Sequence, residues 1–291
     1  MVAPALDARD GAAVAAAFGL RPGDLALGVF AHPDDEAWSA GGTLAALVDA
    51  GVRVRVIFAT DGEAGLDDLR RGWSKAALGA HRRMEARAAA AVLGCEEPVF
   101  LGAPDGGLAA AGASAAGAGV AAALRQALSD QLAATRPQAL FGLGDDGGYP
   151  HRDHVALVVA CIDACAALAS AAPRHWQAAF APGTFAPLLR GLRRAGATSL
   201  LDPAWPAEQL GWRGGALPSL SLDIGALAAR KTAAIAAHRS QLRGGDPLAL
   251  LGPGVVASLL ARETWVEATG SSRSSRKNAD SSALPATPAL R

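Results

Sequence analysis

Leu25-Ala26-Leu27-Gly28-Val29-Phe30-Ala31 runs directly into His32-Pro33-Asp34-Asp35-Glu36. The reading of this junction decides the fold. A short apolar run without polar interruption reads as a strand buried on both faces, the kind that parallel sheets use. The next stretch, Glu36 to Ala50, reads as a helix that Gly51 stops. Val52 to Ala59 (VRVRVIFA) is rich in β-branched residues and reads as a second strand.

Further along, the spacing predicts a helix over Ala76 to Leu93, ended by Gly94, and a third strand over Pro98 to Leu101. Leu108 to Val120 is rich in Ala and Gly and is expected to begin as a loop. A helix follows over Ala121 to Thr135, halted before Pro137. A fourth strand covers Gln138 to Gly142, and a helix covers Asp153 to Ser170. Strands alternating with helices imply right-handed βαβ units. The expected fold class is therefore α/β, a mostly parallel sheet with helices on both faces. After Ala171 the rhythm weakens, and helices return only at Ile224 to Leu242 and Val255 to Arg262. This less regular C-terminal part is expected to pack on the sheet and shape the substrate mouth. One domain is expected over residues 1–268. The tail 269–291, rich in Ser, Ala, Pro and Arg, reads as disordered.

Composition narrows the function classes. The chain has 291 residues, 51% hydrophobic and 19% charged, with zero formal net charge. A sizeable core is available, and nothing favours nucleic acid or an acidic membrane as a partner. Met1 to Leu20 carries Asp7, Arg9 and Asp10 and lacks the pattern of a signal peptide. No apolar run reaches the ~18 residues needed to span a bilayer. Membrane insertion is therefore not expected, and a cytoplasmic location is. Cys161 and Cys165 read as small buried side chains in an apolar helix. No GxGxxG follows the first strand, which argues against a nicotinamide cofactor.

Two polar clusters stand out. His32 to Glu36 leave the first strand at its carboxyl end, where open α/β sheets bind ligands. An imidazole and a carboxylate three residues apart can reach one cation, and a divalent metal would keep the adjacent Asp34 and Asp35 ionised. Tyr149-Pro150-His151-Arg152-Asp153-His154 follows the fourth strand and also opens a helix. Taken alone, the first segment also reads as an acidic helix start, and the second as a helix-capping cluster of solvated groups. Parallel strands bring both to a common edge. Together they offer His, Asp and His as three ligands with an open position, the arrangement of a catalytic zinc. Asp34 and His151 are left flanking it.

On these residues the chain resembles the LmbE/PIG-L family of zinc-dependent N-deacetylases. Ala31 to Glu36 and His151 to His154 carry the resemblance. Thr60-Asp61-Gly62-Glu63, Arg82 with Glu85 and Ala89, Asp105-Gly106, and Lys231 with His238, Ser240 and Gln241 support it. The resemblance implies a Rossmann-like fold and hydrolysis of an N-acetyl group on an amino sugar or its conjugate. It implies zinc, with iron(II) as a substitute, on His32, Asp35 and His154. It implies Asp34 as general base and His151 as the group that steadies the oxyanion or protonates the amine. Tyr149 would help polarise the amide carbonyl, and Arg82 and Asp105 would contact substrate; His238, in the helical run Lys231 to Leu242, reads either as a substrate contact at the pocket mouth or as a plain surface histidine. The expected partner is a small N-acetylated amino sugar, and a homo-oligomer is compatible. The same site would also suit an amidase acting on a thiol conjugate or another acylamine, or a non-catalytic regulatory relative. His81 and His175 read as surface or loop residues. Asp145 and Asp146 read as turn residues, and Glu63 as a buttress of the site.

Overall fold

The computed structural model describes residues 5–108, 115–149, 151–181, 183–186, 190, 218–242, 244 and 253–268. Its centre is β2 (Leu25–Phe30), all six residues of which are buried. It pairs in parallel with β3 (Arg53–Thr60) on one side and β5 (Ala139–Leu143) on the other. β4 (Val99–Ala103) extends the sheet beyond β3, and β6 (Arg174–Ala178) extends it beyond β5, both in parallel. The order β4-β3-β2-β5-β6 places the reversal of winding between β2 and β5, so a crevice opens at their carboxyl ends.

Alternation along the strands divides the core. Ala26 and Phe30 of β2, Val54, Val56 and Phe58 of β3, and Ala139 and Phe141 of β5 face one hydrophobic cluster. Leu25, Leu27 and Val29, Ile57 and Ala59, and Leu140 face the other. The period of two matches the pleat. Helix α1 (Gly11–Ala17), α2 (Asp35–Asp49), α3 (Lys75–Leu93) and α6 (Ala228–Ala237) lie with the first cluster. Helices α4 (Ala115–Thr135) and α5 (Arg152–Ala167) lie with the second. There α4 contributes Leu124, Leu128 and Leu132 at four-residue spacing. Among the described residues no helix is long and apolar enough to cross a membrane.

The first four expected strands and the helices between them are present, with ends shifted by one or two residues. α3 starts where Ser74 Oγ accepts from the Ala77 amide, and it ends at Gly94 with φ 80°. The stretch expected to begin as a loop is helical from Ala115, and residues 109–114 lie outside the described residues. α5 stops at Ala167 and gives way to a short 3-10 turn, Ala169–Ala171.

The larger corrections fall after Ala171. Three strands there escape a pattern-based reading: β6, β7 (Leu220–Asp223) and β8 (Arg262–Glu267). β6 reads RHWQA and β8 reads RETWVE, so neither shows a β-branched run. β8 runs antiparallel to both β6 and β7, and β7 pairs with the two-residue β1 (Leu6–Asp7). His175, expected on the surface or a loop, is buried on β6 opposite Leu140. The helix expected over Ile224 to Leu242 is broken. α6 stops at Ala237, and His238 takes ψ 53° before a 3-10 turn, Arg239–Gln241. The break follows from Glu85, whose carboxylate accepts from the Ser240 amide at 2.7 Å and the Ser240 hydroxyl at 2.6 Å. The last expected helix is α7 (Pro253–Ala261), which passes directly into β8. The region 191–217 and the tail 269–291 lie outside the described residues.

A buried ion pair ties these late elements to α2. Lys231 of α6, 0% exposed, donates to Glu263 Oε1 at 2.7 Å and to the Leu259 carbonyl at 2.8 Å. Glu263 of β8 also accepts from the amides of Gly42 and Thr43 and from the Thr43 hydroxyl. Close approach needs Gly42, because a Cβ there would stand 2.7 Å from the Ile224 side chain. Glu263→Ala is expected to destabilise the protein by about 3–5 kcal/mol, because it strands Lys231 as a buried charge. Lys231→Met should cost clearly less, because three donors remain on Glu263. Denaturant unfolding of the two variants checks the order, and equal or reversed losses would count against this account.

Candidate metal centre and active site

The carboxyl ends of β2 and β5 deliver the two polar clusters to one place. His32 follows β2 by two residues. His151 caps α5, its Nδ1 accepting from the Asp153 amide at 3.3 Å, and His154 sits in the first turn of that helix. His32 Nδ1 stands 3.1 Å from His154 Nε2 and 3.4 Å from Asp35 Oδ2, and His154 Nε2 stands 3.2 Å from the same Asp35 oxygen. Three potential ligand atoms thus form a small triangle. Ligands about 2.0–2.1 Å from a tetrahedral zinc stand roughly 3.3–3.4 Å apart, so the triangle fits such an ion.

The outer ring nitrogen of His154 fixes its tautomer, assigned here from its partner. His154 Nδ1 lies 2.9 Å from the Gly147 carbonyl, which accepts its proton. His32 Nε2 stands 3.1 Å from Asp105 Oδ1 and 3.5 Å from Asp153 Oδ2, an ion-pair approach outside hydrogen-bond geometry. With a lone pair on the inner nitrogen of each ring, the two would face one another at 3.1 Å. Two lone pairs at that distance repel unless a cation or a proton lies between them. His32, His151 and His154 form one buried group that could hold a metal ion, and Asp35 completes the donor set.

The electrostatics carry the same demand for positive charge. Burial alone would push the His32 imidazole down, but Asp105, Asp153 and Asp35 hold it well above its ordinary value. Burial would raise Asp35, yet His154 and His32 pull it well below the usual carboxylate range. Asp34 differs. Burial raises its carboxyl to about 6, partly offset by the Arg82 guanidinium, with neighbouring Asp35 raising it further. Burial and the charges of His154 and His32 lower His151 to about 3. Tyr149 is pushed well above its usual value by burial and then by Asp35 and Asp34, so its hydroxyl stays a donor.

Asp34, next to Asp35, is in an unusual backbone state, φ 127° and ψ −28°. For a residue other than glycine this costs about 1–3 kcal/mol and is a mark of functional sites. Arg82 holds the loops around it. Its guanidinium donates to the Gly62 carbonyl at 2.7 Å and the Pro33 carbonyl at 2.5 Å, and stands 3.5 Å from Asp34 Oδ1. Gly62 is required there, since a Cβ would lie 2.3 Å from the guanidinium. Tyr149 packs edge-on to His154 at 5.1 Å between ring centroids and lies 5.9 Å from both His151 and Phe185.

The structure brings together His32, Asp34, Asp35, Tyr149, His151 and His154. The three residues expected to touch substrate make contacts of their own around this group. Arg82 is 3% exposed and braces two loops. Asp105 lies against His32, with Oδ2 accepting from the Ala64 amide and its own amide donating to Glu63. His238, 1% exposed, contacts Glu36 at 2.7 Å. Glu63 buttresses Asp105 as read from the sequence, and Asp146 accepts from the Gly148 amide in a turn. His81 is partly covered by the Trp73 ring. Two residues quoted in the motifs went unassigned. Asp153, fully buried, accepts from the Gly106 and Leu108 amides and faces His32. Glu36 accepts from the Asp34 amide. A carboxylate between two clustered histidines was the available signal for Asp153.

Comparison with known proteins identifies the family. The family described as PIG-L, GlcNAc-PI de-N-acetylase, matches residues 27–165. A 1D-myo-inositol 2-acetamido-2-deoxy-alpha-D-glucopyranoside deacetylase of Nakamurella multipartita is 33% identical over 240 residues, 74% of this chain and 79% of its own length. Among solved structures, N,N'-diacetylchitobiose deacetylase from Pyrococcus horikoshii aligns over 85% of this chain and 84% of its own, with TM-score 0.53 and 23% identity. The 4-carboxy-2-hydroxymuconate hydratase GalB from Pseudomonas putida aligns over 84% of this chain and 96% of its own, with TM-score 0.54 and 20% identity. These two likenesses show the fold. With the sequence relative and the family match, they lead to one conclusion: the chain belongs to the PIG-L (LmbE-like) family of de-N-acetylases.

Proposed function

We propose that this protein is a metal-dependent hydrolase that removes the N-acetyl group from an amino-sugar conjugate. In this reading zinc, or iron(II) in its place, is held by His32, Asp35 and His154. The convergence of His32 Nδ1, His154 Nε2 and Asp35 Oδ2, at 3.1, 3.4 and 3.2 Å from one another, carries the proposal, because a divalent ion satisfies two imidazoles and a carboxylate at one point. His and carboxylate ligands suit several divalent ions, so the donor set alone does not choose among them. A bound divalent ion supplies Lewis acidity, which activates water at neutral pH and polarises the amide carbonyl.

The chain's own groups do the rest. Asp34, with a carboxyl raised to about 6, is mostly ionised at neutral pH and takes the proton of the attacking water. His151 keeps its proton on Nε2, because Nδ1 accepts from the Asp153 amide. That N–H and the Tyr149 hydroxyl donate to the carbonyl oxygen as negative charge develops there. The proton held on Asp34 then passes to the departing nitrogen, giving acetate and a free amine. The relative from Nakamurella multipartita makes N-acetylglucosaminyl-inositol the first substrate to test.

Purified protein is expected to hold about one metal per chain and to release acetate from N-acetylglucosaminyl-inositol in a chelator-sensitive way. Absence of metal after reconstitution with zinc and with iron(II) would overturn the reading of the centre. Asp34→Asn should keep the metal while kcat falls on the order of 10²–10⁴-fold. His154→Ala should lose the metal itself. Metal analysis beside steady-state kinetics separates the two, and full turnover by Asp34→Asn would exclude Asp34 as the base.

A further inference from the structure

Asp34 does not hold its left-handed backbone conformation alone. Its amide donates to Glu36 Oε2 at 3.0 Å, and Glu36 Oε1 lies 2.7 Å from His238 Nε2. Glu36 and His238 are each 1% exposed. A glutamate placed only to favour a helix start would sit in solvent, and full burial of Glu is rare without a partner. The partner comes from the break after α6, which exists because Glu85 captures the Ser240 amide and hydroxyl. His238 Nδ1 is buried without a partner, a cost accepted beside a contact that matters.

We propose that Glu36 and His238 are a buried positioning pair that locks the Asp34 backbone at positive φ and so aims its carboxyl into the active site. The inference rests on the reading of Asp34 as the base. Neither residue touches the reacting atoms. Glu36 acts on the Asp34 amide, and His238 acts through Glu36. The pair turns a distant segment of chain into a determinant of where the base stands. It also gives His238 a task other than contact with substrate.

The test uses the full-length, metal-loaded protein. The double variant Glu36→Leu/His238→Phe removes both polar partners together and leaves no unpaired buried charge. It is expected to fold and keep about one metal per chain, with KM within about twofold of the parent. Its kcat should fall on the order of 10- to 100-fold, the effect of a misplaced catalytic group. Its crystal structure should show Asp34 outside the positive-φ region. His238→Ala, which leaves Glu36 in place, is the second variant and should lose kcat in the same direction with KM unchanged. Unchanged kcat in both variants, or Asp34 still at positive φ in the double variant, would overturn the proposal. If the parent releases no acetate, the deacetylase reading fails on its own, and the Asp34 backbone in the variant crystals still decides this one.

Discussion

Parallel pairing of β2 with β5 is the constraint on which the site depends. The register Ala26↔Ala139, Leu27↔Leu140, Gly28↔Phe141 sets two strands side by side that are far apart in the chain. Because both run the same way, their carboxyl ends finish at one edge. His32 and Asp35 then arrive from one strand and His151 and His154 from the other. In an antiparallel pair the same motifs would sit at opposite ends of the sheet. The winding reverses at this point, the place where open α/β sheets form a crevice at the strands' carboxyl ends.

Around that edge the molecule accumulates buried polar groups that a stability argument alone would avoid. Buried Asp153 and half-buried Asp35 and Asp105 stand within 3.5 Å of ring nitrogens of His32 or His154, both buried. Each carboxylate meets backbone amides, a histidine or Arg82, the partners that a charge withdrawn from water requires. The backbone joins in, since Asp34 carries its strain next to Asp35. Sites of this kind break local rules and rely on the surrounding fold for support.

The support comes largely from the C-terminal half. Glu263 and Lys231 pin β8 and α6 to α2, the helix that opens at Asp35. Glu85 pins Ser240 to α3, and that capture sets His238 against Glu36. Interactions between residues distant in sequence therefore reach α2 at its first turn, through Glu36, and at its middle, through Gly42 and Thr43. Apolar packing supplies the bulk of the core, and these polar staples fix its orientation at the site.

The sequence by itself determined the central βαβ units. Their strands are short apolar runs, and their helices end at Gly51, Gly94 and Pro137, signals that act within a few residues. It also exposed the two motifs that form the site, because clustered His and Asp at strand ends are rare by chance. Only the tertiary structure decided the rest. β6 and β8 carry Arg, His, Gln and Glu; Arg174 and Glu267 pair across the two strands, and α2 amides meet Glu263. The break at His238, the burial of His175 and the second carboxylate facing His32 depend on partners from other elements. Periodicity reports what one segment buries, and partners far along the chain are invisible to it.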